Sequence, residues 1–239
     1  LGMSYNLCGL YQPTYKEMLD KLAEHKINAT RIFMYAGWGD NYMYKPWNGN
    51  DCTSIDPNYI QQLKNVVNYA NSKGIIVILS MFHTNSGDQY NYVVNENGQK
   101  LRVLIQAIVN ATMTNEIIFE PLNENVDSGF AGFVQSEIRL IRPNAKTSFY
   151  SDNGGTYRSE HTAYNHYIGG GRIHSTDDPK LVNLSDSDMF NIASEAKQQN
   201  GHTDFLVYFS RNGQPCSTTA EQLEKNFGGV LDLLKTLRS

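Results

Sequence analysis

Residues 116–125 (EIIFEPLNEN) carry two carboxylates, Glu120 and Glu124, directly behind the apolar run Ile117, Ile118 and Phe119. A short apolar run of β-branched and aromatic residues reads as a buried strand, and the polar cluster reads as its C-terminal end. Parallel-barrel enzymes present their chemistry at such strand ends. A carboxyl group held there can act as a general acid or base, or as a nucleophile. Glu120 sits within the strand and is expected to have a buried partner, because an unpaired interior carboxylate costs several kcal/mol. Glu124, with Asn123 beside it, lies just beyond. A core strand running into an ordinary polar loop is the alternative.

The rest of the chain supplies elements that could position these groups. Residues 3–10 read as a first strand, and 14–25 as a helix with Met18, Leu19 and Leu22 on one stripe. Residues 30–36 form strand two, in which Arg31 is a lone charge before Ile32, Phe33 and Met34. A loop rich in Gly, Asn and aromatics follows over 37–54 and holds both tryptophans of the chain, Trp38 and Trp47, with Tyr35, Tyr42 and Tyr44 near them. Asp56-Pro57 is an N-cap followed by proline at the first helical position, which opens a helix running to Ser72. Residues 75–83 form the clearest buried parallel strand and close on His83. A helix ending at Thr112 leads into strand four, described above.

The second half repeats the rhythm in shorter pieces. The spacing predicts a helix over 130–140, strand five over 146–151 with Asp152 at its end, and a helix over 158–168. Strand six is expected at 172–175 and includes His174. Strand seven is expected at 189–194, ending at Glu195, and strand eight at 204–210, including Tyr208. A closing amphipathic helix covers 218–237. Eight strands alternating mostly with helices predict a compact single-domain (β/α)8 barrel over residues 1–239, with only short segments after strands six and seven. The alternative is an open doubly wound sheet, but strand one is followed by no Gly-rich nucleotide turn.

The strand-four string resembles the clan A glycoside hydrolases, most closely the family 5 cellulase and mannanase group. That group's strand reads apolar-apolar-aromatic-Glu-x-x-Asn-Glu-Pro, and only Asn125, in place of the proline, departs from it. The resemblance implies Glu124 as acid/base, with Asn123 holding the sugar 2-hydroxyl. It implies Glu195 as nucleophile, at a pattern that lacks the family's glycine. Glu120 becomes the inner, structural glutamate. By the same resemblance Arg31 reaches under the nucleophile and keeps it ionised, His83 lines the site, and His174 neighbours the nucleophile. The usual aromatic behind His174 is replaced by Ser175 and Thr176. The strand-eight Trp is replaced by a segment containing Tyr208. A retaining glycosidase needs its two carboxyls about 5–5.5 Å apart. The implied function is hydrolysis of β-glycosidic bonds in a polysaccharide, with endo action expected. A catalytically inactive carbohydrate-binding barrel is one competitor; the same fold acting on bacterial cell-wall or capsule glycan is the other.

Composition narrows the remaining classes. A net charge of −4 gives no footprint for nucleic acid or an anionic membrane. No run of 18 apolar residues is present to span a bilayer. Cys8, Cys52 and Cys216 have no CxxC spacing, which argues against a zinc site or a disulfide scaffold. No His-x-His follows strand one, so a metal-dependent barrel hydrolase is disfavoured. Neither metal nor cofactor is expected. The expected partner is a poly- or oligosaccharide, the expected state a monomer, and a secreted location follows from that substrate class.

Overall fold

The computed structural model describes residues 2–5, 15–33, 46–48, 54–82, 98–121, 128–147, 164–165, 187, 190–191, 194, 202–207 and 220–236. In chain order the elements are β1 (Gly2–Tyr5), α1 (Tyr15–Glu24), β2 (Ala29–Phe33), β3 (Trp47–Asn48), β4 (Ser54–Ile55), α2 (Pro57–Ser72) and β5 (Ile76–Ser80). They continue with α3 (Gln99–Ala111), β6 (Ile117–Glu120), α4 (Ser128–Ile141), β7 (Lys146–Thr147), β8 (Tyr164–Asn165), β9 (His202–Val207) and α5 (Ala220–Thr236).

Seven of the strands form one sheet in the order β7-β6-β5-β2-β1-β9-β8, and every pairing within it is parallel. Read from β8, that order is chain order taken cyclically, with the first strand beside the last. A doubly wound sheet reverses direction at an early strand and leaves later strands at its edges. Here β1 and β9 pair over four residues in the middle of the sheet, which is how a singly wound barrel closes. The helical layer closes at the same seam, where His25 Nε2, one residue past α1, lies 3.0 Å from Glu224 Oε2 of α5. The fold is a (β/α)8 barrel, and the described residues supply seven of its strands.

The chain forms these elements for local reasons. Asp56 caps α2 by accepting a 2.8 Å hydrogen bond from Asn58 N, with Pro57 in the first turn, where its missing N–H costs nothing. The helix ends in a Schellman motif, with Ile75 N bonded to Ala70 O and Gly74 N to Asn71 O. Gly74 takes the left-handed position at φ +74°. Helix α1 ends the same way, Ile27 N on Leu22 O and Lys26 N on Ala23 O, but a lysine occupies the left-handed position at φ +57°. A side chain there costs about 1 kcal/mol. Lys26→Gly is therefore expected to stabilise the fold by about that amount and Gly74→Ala to destabilise it similarly, measured as opposite shifts of the urea midpoint. Equal shifts in one direction would contradict this.

The apolar stripes face the sheet as the spacing predicts. Met18, Leu19 and Leu22 of α1 and Leu63, Val66, Val67 and Ala70 of α2 are buried with Ile32, Val77, Leu79, Ile117 and Phe119 of the strands in one core. Between α1 and α2 the Tyr69 hydroxyl donates to both Asp20 oxygens at 2.9 Å, and Lys73 Nζ lies 2.7 Å from Asp20 Oδ1. The Lys73 hydrogen bond, aided by Tyr69 and opposed by partial burial, holds the Asp20 carboxyl below its ordinary pKa. A depressed carboxylate stabilises the fold above its unfolded pKa and stops doing so as pH falls through the folded value. The excess stability over Asp20→Asn is expected to close across the acid range and to shrink in high salt, because the pair is well exposed. Thermal melts at several pH values and two salt concentrations read this directly.

Two expectations for the second half do not hold. Tyr164 and Asn165, within the helix expected at 158–168, are instead strand β8, paired with His202 and Thr203 of β9. Tyr164, His166 and Ile168 alternate along a segment of aromatic and β-branched residues stopped by three glycines, which suits a strand. Strand seven is also corrected: Phe190, Asn191 and Ser194 are helical, as is Ser187 before them. With β8 paired directly to β9, these residues lie in a β–α–β crossover, so the segment after that strand carries helix. The expected strand six at 172–175 lies outside the described residues.

Candidate active site

Strands β2, β5 and β6 lie side by side, with Arg31, Ile78 and Ile118 level in register and Phe33, Ser80 and Glu120 level one step above. Alternate residues of a strand face opposite sides. Ile32, Val77, Leu79, Ile117 and Phe119 pack into the core with the helices. Arg31, Ile78, Ser80, Ile118 and Glu120 therefore face the barrel axis. Ile78 fits this placement, being 2% exposed yet outside the helix-packed core.

On that inner face Arg31 and Glu120 form a buried, bidentate ion pair. Arg31 Nε donates to Glu120 Oε2 at 2.6 Å and Nη2 donates to Oε1. Their side chains are 3% and 2% exposed. Two strand spacings, about 10 Å, separate β2 from β6, so the guanidinium reaches diagonally over β5 to the end of β6. The expectation of a partner for Glu120 is met by Arg31. The ladder runs on past the strand end, with Met81 N donating to Glu120 O at 2.8 Å. Glu120 is thus held through its side chain and its carbonyl, and Pro121 behind it is buried. The polar cluster of the sequence starts from a fixed post.

Parallel neighbours place their C-terminal ends on one rim. Several expected site residues follow those ends in the chain: Asn123 and Glu124 after β6, His83 after β5, Trp38 after β2 and Tyr208 after β9. All of these lie outside the described residues, as do Asp152, His174 and Glu195. Of the expected set, only Arg31 is described with its side chain. Trp47 is placed through its backbone, in a two-residue antiparallel ladder where it pairs with Ile55. The Asp56 N–H to Pro46 carbonyl bond, 2.9 Å, ties this ladder to the cap of α2. Ser194, one residue before Glu195, is helical, and with Glu195 itself outside the described residues its assignment rests on the sequence pattern. In the sequence Ser80 is one residue of an apolar strand. A lone hydroxyl among Ile, Val and Leu was the signal that it faces something other than the core. Among the described residues no group of three His, Cys, Asp or Glu side chains is arranged to hold a metal.

The chain belongs to glycosyl hydrolase family 5: the cellulase family model matches residues 2–149, more than half of its length. Comparison with curated protein sequences gives no match. Among solved structures, a Bacteroides vulgatus protein assigned to the glycoside hydrolases aligns with a TM-score of 0.67 at 13% identity, over 99% of this chain. This chain spans 56% of that protein's length. A GH5-4 endoglucanase of Clostridium acetobutylicum aligns at TM-score 0.63 and 15% identity, covering 98% of this chain and 96% of its own. The β-mannanase of the blue mussel Mytilus edulis aligns at 0.61 and 12%, covering 99% and 87%. At these identities the likeness is one of fold.

Proposed function

We propose that the chain is a retaining glycoside hydrolase that cleaves internal β-glycosidic bonds of a polysaccharide. The observation that carries this reading is the family match through strand β6, whose Glu-x-x-Asn-Glu string is anchored at Glu120 by Arg31. Glu124 protonates the leaving glycosidic oxygen while Glu195 attacks the anomeric carbon. Water then hydrolyses the glycosyl-enzyme with Glu124 acting as base. Asn123 holds the 2-hydroxyl, and His83, His174 and Asp152 line the cleft. Trp38, Trp47 and Tyr208 supply the flat faces on which sugar rings stack. Endoglucanases and mannanases among the structural neighbours support a β-linked glucan or mannan as the first substrates to try.

One finding favours a second reading. Phe190, Asn191 and Ser194 are helical where strand seven was expected, and a barrel whose Glu195 did not face the bound sugar would bind carbohydrate without cleaving it. A single experiment separates the two. The protein is incubated with a panel of glucans, mannans, xyloglucan and peptidoglycan, with new reducing ends and pull-down measured side by side. Release of oligosaccharides supports the hydrolase. Retention on a polymer without new ends supports the binding barrel.

A further inference from the structure

Ser80 ends β5 on the axis-facing side, level with Glu120 and one step above Ile78. The Arg31–Glu120 pair passes over this strand, so the Ser80 side chain lies beside a desolvated charge pair. Ser80 is 2% exposed, and its Oγ makes no hydrogen bond. Thr30 Oγ1 is likewise without a partner, but it points to the helix-packed side, where apolar residues surround it. A buried hydroxyl without a partner forfeits about 1–3 kcal/mol. A water can relieve that cost only where a site offers two to four polar partners. On the inner face the guanidinium and carboxylate next to Ser80 are partners of this kind, each already engaged with the other.

We infer that Ser80 Oγ, Arg31 and Glu120 form the binding site of one internal water, and that through it Ser80 is a positioning residue for the post from which Glu124 is presented. The water gives the Ser80 hydroxyl a partner, ties it to the ion pair at the end of β6 and so bears on the approach of the acid four residues on. Only the kinetic part of the inference rests on the hydrolase reading.

A high-resolution crystal structure is expected to show an ordered water about 2.7–3.2 Å from Ser80 Oγ and from an atom of Arg31 or Glu120. Ser80→Ala should lose it and keep the ion pair. A Ser80 hydroxyl bonded to a protein atom, no water at Ser80, or a water unchanged in Ser80→Ala overturns the site. On a cleaved polysaccharide, Ser80→Ala should lower kcat about tenfold with KM nearly constant, and Ser80→Thr, which keeps the hydroxyl, should recover most of it. An unchanged kcat in a Ser80→Ala protein that has lost the water overturns the positioning role. A wild-type protein that cleaves nothing counts against the proposed function, while the crystallographic result still decides whether the water site exists.

Discussion

Glu195→Ala is expected to leave no turnover on any glycoside, whereas Glu124→Ala keeps cleaving substrates whose leaving group needs no proton. Without the nucleophile no glycosyl-enzyme forms, whatever the aglycone. Without the general acid, loss on a natural polysaccharide should reach about 10²–10⁴-fold in kcat, yet an activated aryl glycoside still glycosylates the enzyme. Deglycosylation then becomes slow for want of a base, and added azide, which needs none, should restore turnover in Glu124→Ala only. Both variants must show the wild-type thermal transition before their rates are compared. Equal losses on every leaving group would remove the division of roles. Full activity in Glu195→Ala would place the nucleophile elsewhere, an outcome sharpened by the helical conformation of Ser194.

How much of this was legible depended on how redundantly each segment signals its state. In the first half several signals coincide. The stripes Met18–Leu19–Leu22 and Leu63–Val66–Val67–Ala70, the Asp56-Pro57 cap and the Gly74 stop bracket strands of nearly pure Ile, Val and Leu, and the structure follows them. The partner of Glu120 was foreseeable because a buried carboxylate demands one and Arg31 is the lone charge of strand two. Beyond strand five the signals are short and contradictory. Residues 189–193 are a five-residue run with four apolar members, a length at which helix and strand look alike. The flanks held the answer: Ser185, Asp186, Ser187 and Asp188 before it suit a helix start, and Ala196, Lys197, Gln198 and Gln199 before Asn200-Gly201 are helix formers followed by a stop. Around Tyr164 the aromatic alternation outweighed a weak helical spacing. Ser80 carries no such signal, because register, not composition, turns it toward the axis.

Breaking the Arg31–Glu120 pair from one side is the change with the largest expected effect on stability. Both side chains are nearly fully buried, so Glu120→Leu takes the carboxylate from a buried guanidinium and Arg31→Met takes the guanidinium from a buried carboxylate. Each is expected to cost about 3–5 kcal/mol, a large share of the roughly 5–15 kcal/mol that holds a domain folded. The pair itself is worth much less than that, because its attraction is largely spent on desolvation. Removing both charges in Arg31→Met/Glu120→Leu should therefore cost well below the sum of the single changes, and a double-mutant cycle from urea midpoints gives the coupling directly. Additive losses would mean that the two groups are stabilised mainly by other neighbours. The same double variant also separates structure from function. The salt bridge spans β5 to pin the last residue of β6, and Glu124 follows four residues later, so a variant that folds with near-native stability should still lose most of its hydrolytic rate. If that folded double variant cleaves polysaccharide at the wild-type rate, the buried pair serves the barrel wall alone and the acid is positioned by other contacts.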